Sequence, residues 1–531
     1  MKMINLTING TALSVEAGTT LLEAAKSLGV EIPTLCHLAQ FTPHTNCMIC
    51  TVHELKTGRL ILSCATQVTE GMAIATDDER TRNARRDTLD LLLSEHLGDC
   101  EAPCTRTCPA NMNIPLMIRQ IKAGDFEQAI RTVKEDIALP AVLGRICPAP
   151  CEKGCHRKQH DNALSICALK RFVADTDMGK DSPYKPDIPA ISGKNIAVVG
   201  AGPAGLSAAY YIARAGHHCV LFESSEKAGG LLRTSISDTT LPKSVLDTEI
   251  ELILSLGVEL KTGQALGRDF TLADIRYKYD AVALCLGESD PDKAIDSKLD
   301  YTPRGIAVNK ESYEASIPGV FAGGNAVSVG KMAIRASAHG KLIAKSVDQY
   351  LNELPATNRS RAFNSSLGKF QDGETDEFLR EAGTFDRIEA AGSFETGFDS
   401  HEAVKESERC FHCDCRKPKS CKLRRYATEY GSDQRRFRVG DRKRVRKVVQ
   451  HELIVYEPGK CIKCNLCIDI ARETGEEYGL SFIKRGFEVE MAVPFDESLQ
   501  IGLKLAAEAC AAACPTAALA LRNNEERLSS D

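Results

Sequence analysis

The chain has 531 residues, 22 cysteines and no tryptophan, and its 67 Lys plus Arg against 72 Asp plus Glu leave a net charge of −5. That balance argues against a nucleic-acid protein, and no run of about 18 apolar residues offers a membrane-spanning helix. The length implies roughly three or four domains. The opening MKMINLTING lacks the basic and apolar regions of a signal peptide, so a cytoplasmic chain is expected. The cysteines are too numerous and too closely spaced for a small secreted disulfide scaffold. C-x2-C and C-x3-C spacings instead suit zinc or iron–sulfur clusters.

Residues 3–80 alternate short apolar strands with turns around one helix, TLLEAAKSLG, and carry Cys36, Cys47, Cys50 and Cys64. An isolated thiol, a C-x2-C and a fourth thiol on a later strand is the layout of a loop around a 2Fe–2S cluster, with zinc as the alternative. IPTLCHLAQFTPHTNCMICTV, LSCATQVTEGMAIAT and RRDTLDLLLSEH resemble the N-terminus of the large iron–sulfur subunit of NADH dehydrogenase and related hydrogenase and formate dehydrogenase subunits. That family continues with a His-x3-Cys-x2-Cys-x5-Cys cluster site. Here His96 and Cys100 start it, but Cys104 and Cys108 follow at steps of four.

From CPANMNIP through GRICPAPCEKGC (Cys147, Cys151, Cys155) to LSICALKRFVAD, the chain resembles another family: the helical double-cluster domain of the glutamate synthase small subunit and of dihydropyrimidine dehydrogenase. The resemblance implies two cubanes, one on His96, Cys100, Cys104 and Cys155, the other on Cys108, Cys147 and Cys151. The eighth ligand, normally Glu or Gln, aligns with Lys170, which cannot ligate when protonated. Cys167, one helical turn earlier, is the expected substitute.

NIAVVGAGPAGLSAAYYIARAGHHCVLFESS reads as strand, glycine turn, helix and strand. Gly200, Gly202 and Gly205, with Pro203 and Ala204 between them, serve the turn, the pyrophosphate approach and the helix–strand packing, and Glu223 ends the second strand for a ribose hydroxyl. AGGLLR (Gly230, Leu231, Arg233) and SIPGVFAGGNAV (Gly324, Asn325) resemble the FAD domain of glutamate synthase small subunits, with Asn325 where Asp is usual. Those relatives insert an NADPH domain. Here only Glu288 to Leu299 occupy that place, too short for a βαβ unit of 30 or more residues.

Residues 352–400 are polar and read as a linker. ESERCFHCDCRKPKSCKLRRYA supplies Cys410, Cys413, Cys415 and Cys421, expected to hold one 4Fe–4S cluster or one zinc. RRFRVGDRKRVRKVV is read as a solvated or partner-docking face. Finally CIKCNLC (Cys461, Cys464, Cys467) and a distant CPTAAL (Cys514) resemble a two-cluster ferredoxin module of the NADH dehydrogenase family. The second cubane's positions read Ala471, Lys504 and Ala507, so one cluster is expected there.

The expected fold class is multidomain α/β and α+β. It comprises a ferredoxin-like 2Fe–2S β-grasp domain (1–82), a helical double 4Fe–4S domain (83–182), a Rossmann-type FAD domain (191–351), the linker, a four-cysteine segment (401–450) and a C-terminal 4Fe–4S ferredoxin module (451–531). The implied cofactors are FAD, one 2Fe–2S cluster and three to four 4Fe–4S clusters. The implied function is an electron-transferring, optionally electron-bifurcating, subunit of an NAD(P)-linked oxidoreductase. Its implied partners are NADH- and FMN-binding subunits, with soluble ferredoxin as a further carrier and neither nucleic acid nor membrane insertion. The alternatives are a stand-alone flavoenzyme acting on an unidentified small molecule and a metal-bearing scaffold with a vestigial flavin site; no catalytic acid or base stands out.

Overall fold

A computed structural model describes residues 2–288, 298–358, 362–390, 396–440 and 442–523. The short connection expected to replace a second nucleotide domain therefore lies, for residues 289–297, outside the described residues. The chain forms two compact units, and both are discontinuous. The first comprises residues 1–101, 362–380 and 413–531, the second residues 102–361 and 381–412.

In the first unit, Met3–Ile8 pairs antiparallel with Thr11–Glu16 and parallel with Ala73–Ala75, which pairs in turn with Thr51–Glu54. Arg59–Leu62 completes a five-stranded sheet at its edge. The helix Leu21–Ser27 starts where Thr20 and Glu23 form a reciprocal capping box, satisfying amides the first turn leaves open. Helix Glu79–Ser94 buries Leu89 and Leu93 against Leu423, Tyr426 and Ala427 of helix Lys422–Glu429. Buried Arg85 ties the two sequence regions together, donating to Thr51 O and to Tyr430 Oη at 2.8 Å. The C-terminal part pairs Ile454–Tyr456 with Leu519–Leu521 over the helices Leu466–Thr474 and Ala507–Ala513.

The second unit joins a helical layer to a five-stranded parallel sheet. The sheet order is Val320–Ala322, Ala281–Leu284, Asn195–Val199, His218–Phe222, Glu259–Lys261. Central strands such as Ile196–Val199 are buried throughout, as a parallel sheet covered on both faces requires. Helices Pro203–Arg214 and Ala333–Leu351 touch closely, because a Cβ on Gly340 would lie 2.2 Å from Ala204 O. The helices Ile114–Lys122, Phe126–Asp136, Pro140–Ile146 and Ile166–Met178 form the other layer. Glu249 reaches from the nucleotide-fold side to accept from Ala141 N and Val142 N at 2.7 and 2.8 Å, capping the helix Pro140–Ile146.

The stretch 352–400 departs from the expected solvent-facing linker. Ser365 and Glu374 are buried, and Glu374 is held by Arg442 and by the amides of Gln371 and Val445, all in the first unit. The basic stretch is likewise partly consumed internally: Arg442 pairs with Glu374, Arg446 with Glu490, and Arg436 with Asp87 and Asp90. Among the described residues no helix is long and apolar enough to cross a membrane.

Candidate cluster and flavin sites

The first-unit loop from Leu35 to Cys50 turns through left-handed Thr45 and Met48 and buries Cys36, Cys47 and Cys50. Cys64 joins them from beyond the strand Arg59–Leu62, with Cys50 Sγ 3.2 Å from Cys64 Sγ. Cys36 and Cys47 form a second hydrogen-bonded thiol pair, and that bond holds one of them, Cys47, down to about 6. The four thiols of the expected set are thus buried as two neighbouring hydrogen-bonded pairs.

In the second unit Cys108, Cys147, Cys151 and Cys167 line one small cavity with Lys170, of about 20 Å3. Helices Pro140–Ile146 and Ile166–Met178 approach closely enough that a Cβ on Gly144 would sit 2.6 Å from Arg171 Cβ. That approach delivers Cys167 to Cys147. The hydrogen bond from Cys167 lowers the Cys147 thiol to about 6, and Lys170 adds to the effect. Ala149, left-handed at φ 47°, turns the chain between Cys147 and Cys151. Cys104, Cys155 and Cys410 pack against the same hydrophobic core. The turns bearing Cys104 and Cys155 abut, since a Cβ on Gly154 would meet Thr107 Oγ1 at 2.3 Å.

In the first unit Cys100, Cys415 and Cys421 lie near one another. Cys415 N donates to Cys100 O at 3.2 Å, and Cys100 Sγ lies 3.3 Å from Ser365 Oγ. Burial, then the neighbouring Cys415 and Cys100 thiols, push Cys421 up to about 12. His96 is shifted down to about 4 by burial and by Lys460, so its ring is neutral near pH 7. Lys460 also faces Cys415 and bonds Glu457 at 2.8 Å. Thus Cys100, Cys415 and Cys421 gather in the first unit, while Cys410 shares the core of the second with Cys104 and Cys155. Of the set expected on Cys410, Cys413, Cys415 and Cys421, the latter three lie in the first unit and Cys410 in the second; His96 belongs to the first unit, Cys104 and Cys155 to the second. Cys413 follows His412, the last residue of the second unit, in sequence. Ser365 and Lys460 had no motif to reveal them. The regrouping did carry a signal, because Cys415 and Cys421 have the Cys-x5-Cys spacing.

Cys461, Cys464, Cys467 and Cys514 line a further small cavity, of about 20 Å3, with Tyr456 and Thr516. Left-handed Lys463 and Asn465 wrap the first three thiols around it. Cys510 is buried with its Sγ 3.4 Å from Cys467 O, and it does not line the cavity. Among the described residues no three His, Cys, Asp or Glu side chains converge as a single metal ion needs. A cubane spreads its thiolates over a larger body than zinc does.

The nucleotide-fold turn follows strand Asn195–Val199. Gly200, at φ 103°, carries no Cβ that would strike Cys285 O at 2.3 Å, and a Cβ on Gly205 would overlap Gly200 O at 1.7 Å. The space around Gly202 is open, leaving room for a phosphate at the N-terminus of helix Pro203–Arg214. Glu223 accepts from Ala201 N and Ser225 N, both at 2.9 Å, which fixes its carboxylate at the strand end. Gly230 approaches Gly202 Cα, and Gly324 N donates to His339 Nδ1 at 3.1 Å. Asn325 Oδ1 accepts from Gly330 N, Arg233 pairs with Asp247, and Leu231 is exposed. The donor set and the glycine-lined cradle fit a dinucleotide.

Comparison with known proteins agrees with this division of labour. Residues 1–79 match the 2Fe-2S iron-sulfur cluster binding domain, and residues 94–182 match dihydropyrimidine dehydrogenase domain II with its 4Fe-4S cluster. Residues 167–340 match the pyridine nucleotide-disulphide oxidoreductase family. The beta subunit of an NADP(+)-dependent formate dehydrogenase from Moorella thermoacetica is 37% identical over 240 residues, covering 41% of this chain and 32% of that one. The beta subunit of NADPH-Fe(3+) oxidoreductase from Geobacter sulfurreducens is 37% identical over 189 residues, 35% of this chain and 28% of that one. Subunit PreT of the NAD-dependent dihydropyrimidine dehydrogenase of Salmonella typhimurium is 36% identical over 191 residues, 36% and 46% of the two chains. The chain thus spans less than half the length of each of these relatives. Its matched segments are those of iron–sulfur and flavin-type oxidoreductases.

Proposed function

We propose that this chain is the electron-transferring iron–sulfur flavoprotein subunit of a multi-subunit NAD(P)-linked oxidoreductase, carrying FAD, one 2Fe–2S cluster and four 4Fe–4S clusters. The observation that carries the reading is the sorting of the thiols. Cys36, Cys47, Cys50 and Cys64 would hold the 2Fe–2S cluster. Cys108, Cys147, Cys151 and Cys167 would hold one cubane, and Cys461, Cys464, Cys467 and Cys514 another. His96, Cys100, Cys415 and Cys421 would hold a third. They restate the His-x3-Cys and Cys-x5-Cys halves of the NADH dehydrogenase subunit motif, with a second protein unit inserted between the halves. Cys104, Cys155 and Cys410 remain for the fourth, and Cys413 is the motif thiol left over. Cys413 and the buried Cys219, Cys285 and Cys510 are the four thiols outside these sets.

Clusters pass single electrons and FAD accepts one or two, which is the chemistry this set would supply when bound. The chain's own part is to bury the thiols, to fix the Glu223 carboxylate for a ribose, and to leave Gly202 open for a pyrophosphate. The partners best suited to it are nucleotide-binding subunits, since Glu288 to Leu299 are too few residues to bind NAD(P)H. The lone chain is therefore reduced readily by dithionite and only slowly by NADH or NADPH in anaerobic stopped flow. Fast flavin bleaching by NADPH would replace this reading with a self-sufficient flavoenzyme.

Iron content tests the sorting. The anaerobic full chain should hold about 18 irons, with Cys410→Ala and Cys415→Ala each losing about four. The double variant should lose about eight if the two thiols serve different cubanes, and about four if they serve one.

A further inference from the structure

Lys170 is 5% exposed and lines the cavity of Cys108, Cys147, Cys151 and Cys167. Its Nζ donates to Leu143 O at 3.1 Å, and among the described residues it pairs with no carboxylate. The acidic groups nearby are engaged elsewhere: Glu152 with Arg387 and with Cys167 N, Asp175 with Arg145 and Arg171. A buried ammonium without an anion is costly, so a compensating negative charge belongs in this cavity. A protonated lysine has no lone pair and is no ligand. A cubane on four thiolates is a net dianion and gains one further negative charge on reduction, and net charge is a main determinant of its potential. A fixed cation at the cavity wall stabilises the reduced form more than the oxidised form.

We propose that Lys170 is the internal counter-cation of the cubane held by Cys108, Cys147, Cys151 and Cys167, and that it raises that cluster's reduction potential. The inference rests on the assignment of Cys167 as the fourth ligand. It makes this lysine a positioning charge for the electron rather than a residue that touches substrate.

The test uses the anaerobic full chain with Lys170→Met, Lys170→Gln and Lys170→Arg, read by iron analysis and by EPR-monitored redox titration. Met and Gln should keep wild-type iron while one cubane signal shifts to lower potential. At fixed solution potential its reduced-to-oxidised ratio should fall at least tenfold, about 59 mV for one electron. Arg should stay within that margin of wild type. An unchanged midpoint in both neutral variants would overturn the proposal and leave Lys170 as a donor to Leu143 O. Loss of about four irons in both neutral variants would overturn it too, by making the lysine a requirement for holding the cluster. Cys167→Ala separates the premise from the inference: full iron there refutes the ligand assignment whatever Lys170 does.

Discussion

Replacing Arg409 by methionine strips the positive partner from a carboxylate that has no access to water. Arg409 and Glu406 are both 0% exposed and meet at 3.0 Å. The guanidinium also donates to Phe385 O, Asn162 O and Asp161 Oδ1 at 3.0–3.1 Å. The methionine fills much of the volume but leaves Glu406 charged, with only the amides of Ser165 and Ile388 donating to it at 2.9 Å. Breaking a buried pair by removing one partner costs about 3–5 kcal/mol. Converted at about 1.4 kcal/mol per decade, that raises the locally open population at least about a hundredfold. The perturbation is local, so the readout is native-state hydrogen exchange at Ser165 and Ile388. Arg409→Met should speed both amides, and adding Glu406→Gln should recover part of the loss by removing the stranded charge. Acceleration below tenfold in the single variant, or no recovery in the double, would refute the reasoning. The same variant should loosen Cys410, whose backbone follows Arg409 directly.

Cys514→Ala should remove about four irons and Cys510→Ala none, by iron analysis, because only Cys514 lines the Cys461 cavity. Gly205→Ala should abolish stoichiometric flavin binding, since its Cβ would overlap the Gly200 carbonyl and backbone cannot yield cheaply; flavin released per chain on denaturation is the check. Burial lifts the Glu249 carboxyl to about 7, against the amides of Val142 and Ala141. A raised folded value means stability present below the unfolded value, about 4.3, and lost as pH rises through about 7, by an amount on the order of a few kcal/mol. Glu249→Gln should flatten thermal stability across that window, measured as apparent Tm against pH. Parallel curves for the two proteins would count against the shift.

Local chemistry was legible in the sequence, and partnership across the chain was only partly so. The glycine turn at Gly200 to Gly205 needs no neighbours to be recognised, because its steric demands are written in the residues themselves. That Cys167 and Lys170 line one cavity was legible for a similar reason: one helical turn apart, they share a face. The pairing of Cys100 with Cys415 was not, because motif spacing describes a continuous chain and here the two halves are separated by a whole folded unit. Polarity also misled. Glu374 and the Arg442 region look solvent-bound as a composition, yet a paired and hydrogen-bonded charge can be buried, which composition does not reveal.

The discontinuity of the first unit sets a timetable for the growing chain. Cys100 leaves the ribosome 315 residues before Cys415, and at about 5–20 residues per second that interval is roughly 15–60 s. Most of the second unit emerges in it, its last segment ending at residue 412, whereas the proposed centre on His96, Cys100, Cys415 and Cys421 lacks two of its four ligands throughout. Assembly of that centre is therefore obliged to be late. A pulse of oxygen or iron starvation during synthesis should injure it while sparing the thiol loop of Cys36 to Cys64, whose four members emerge within the first seventy or so residues.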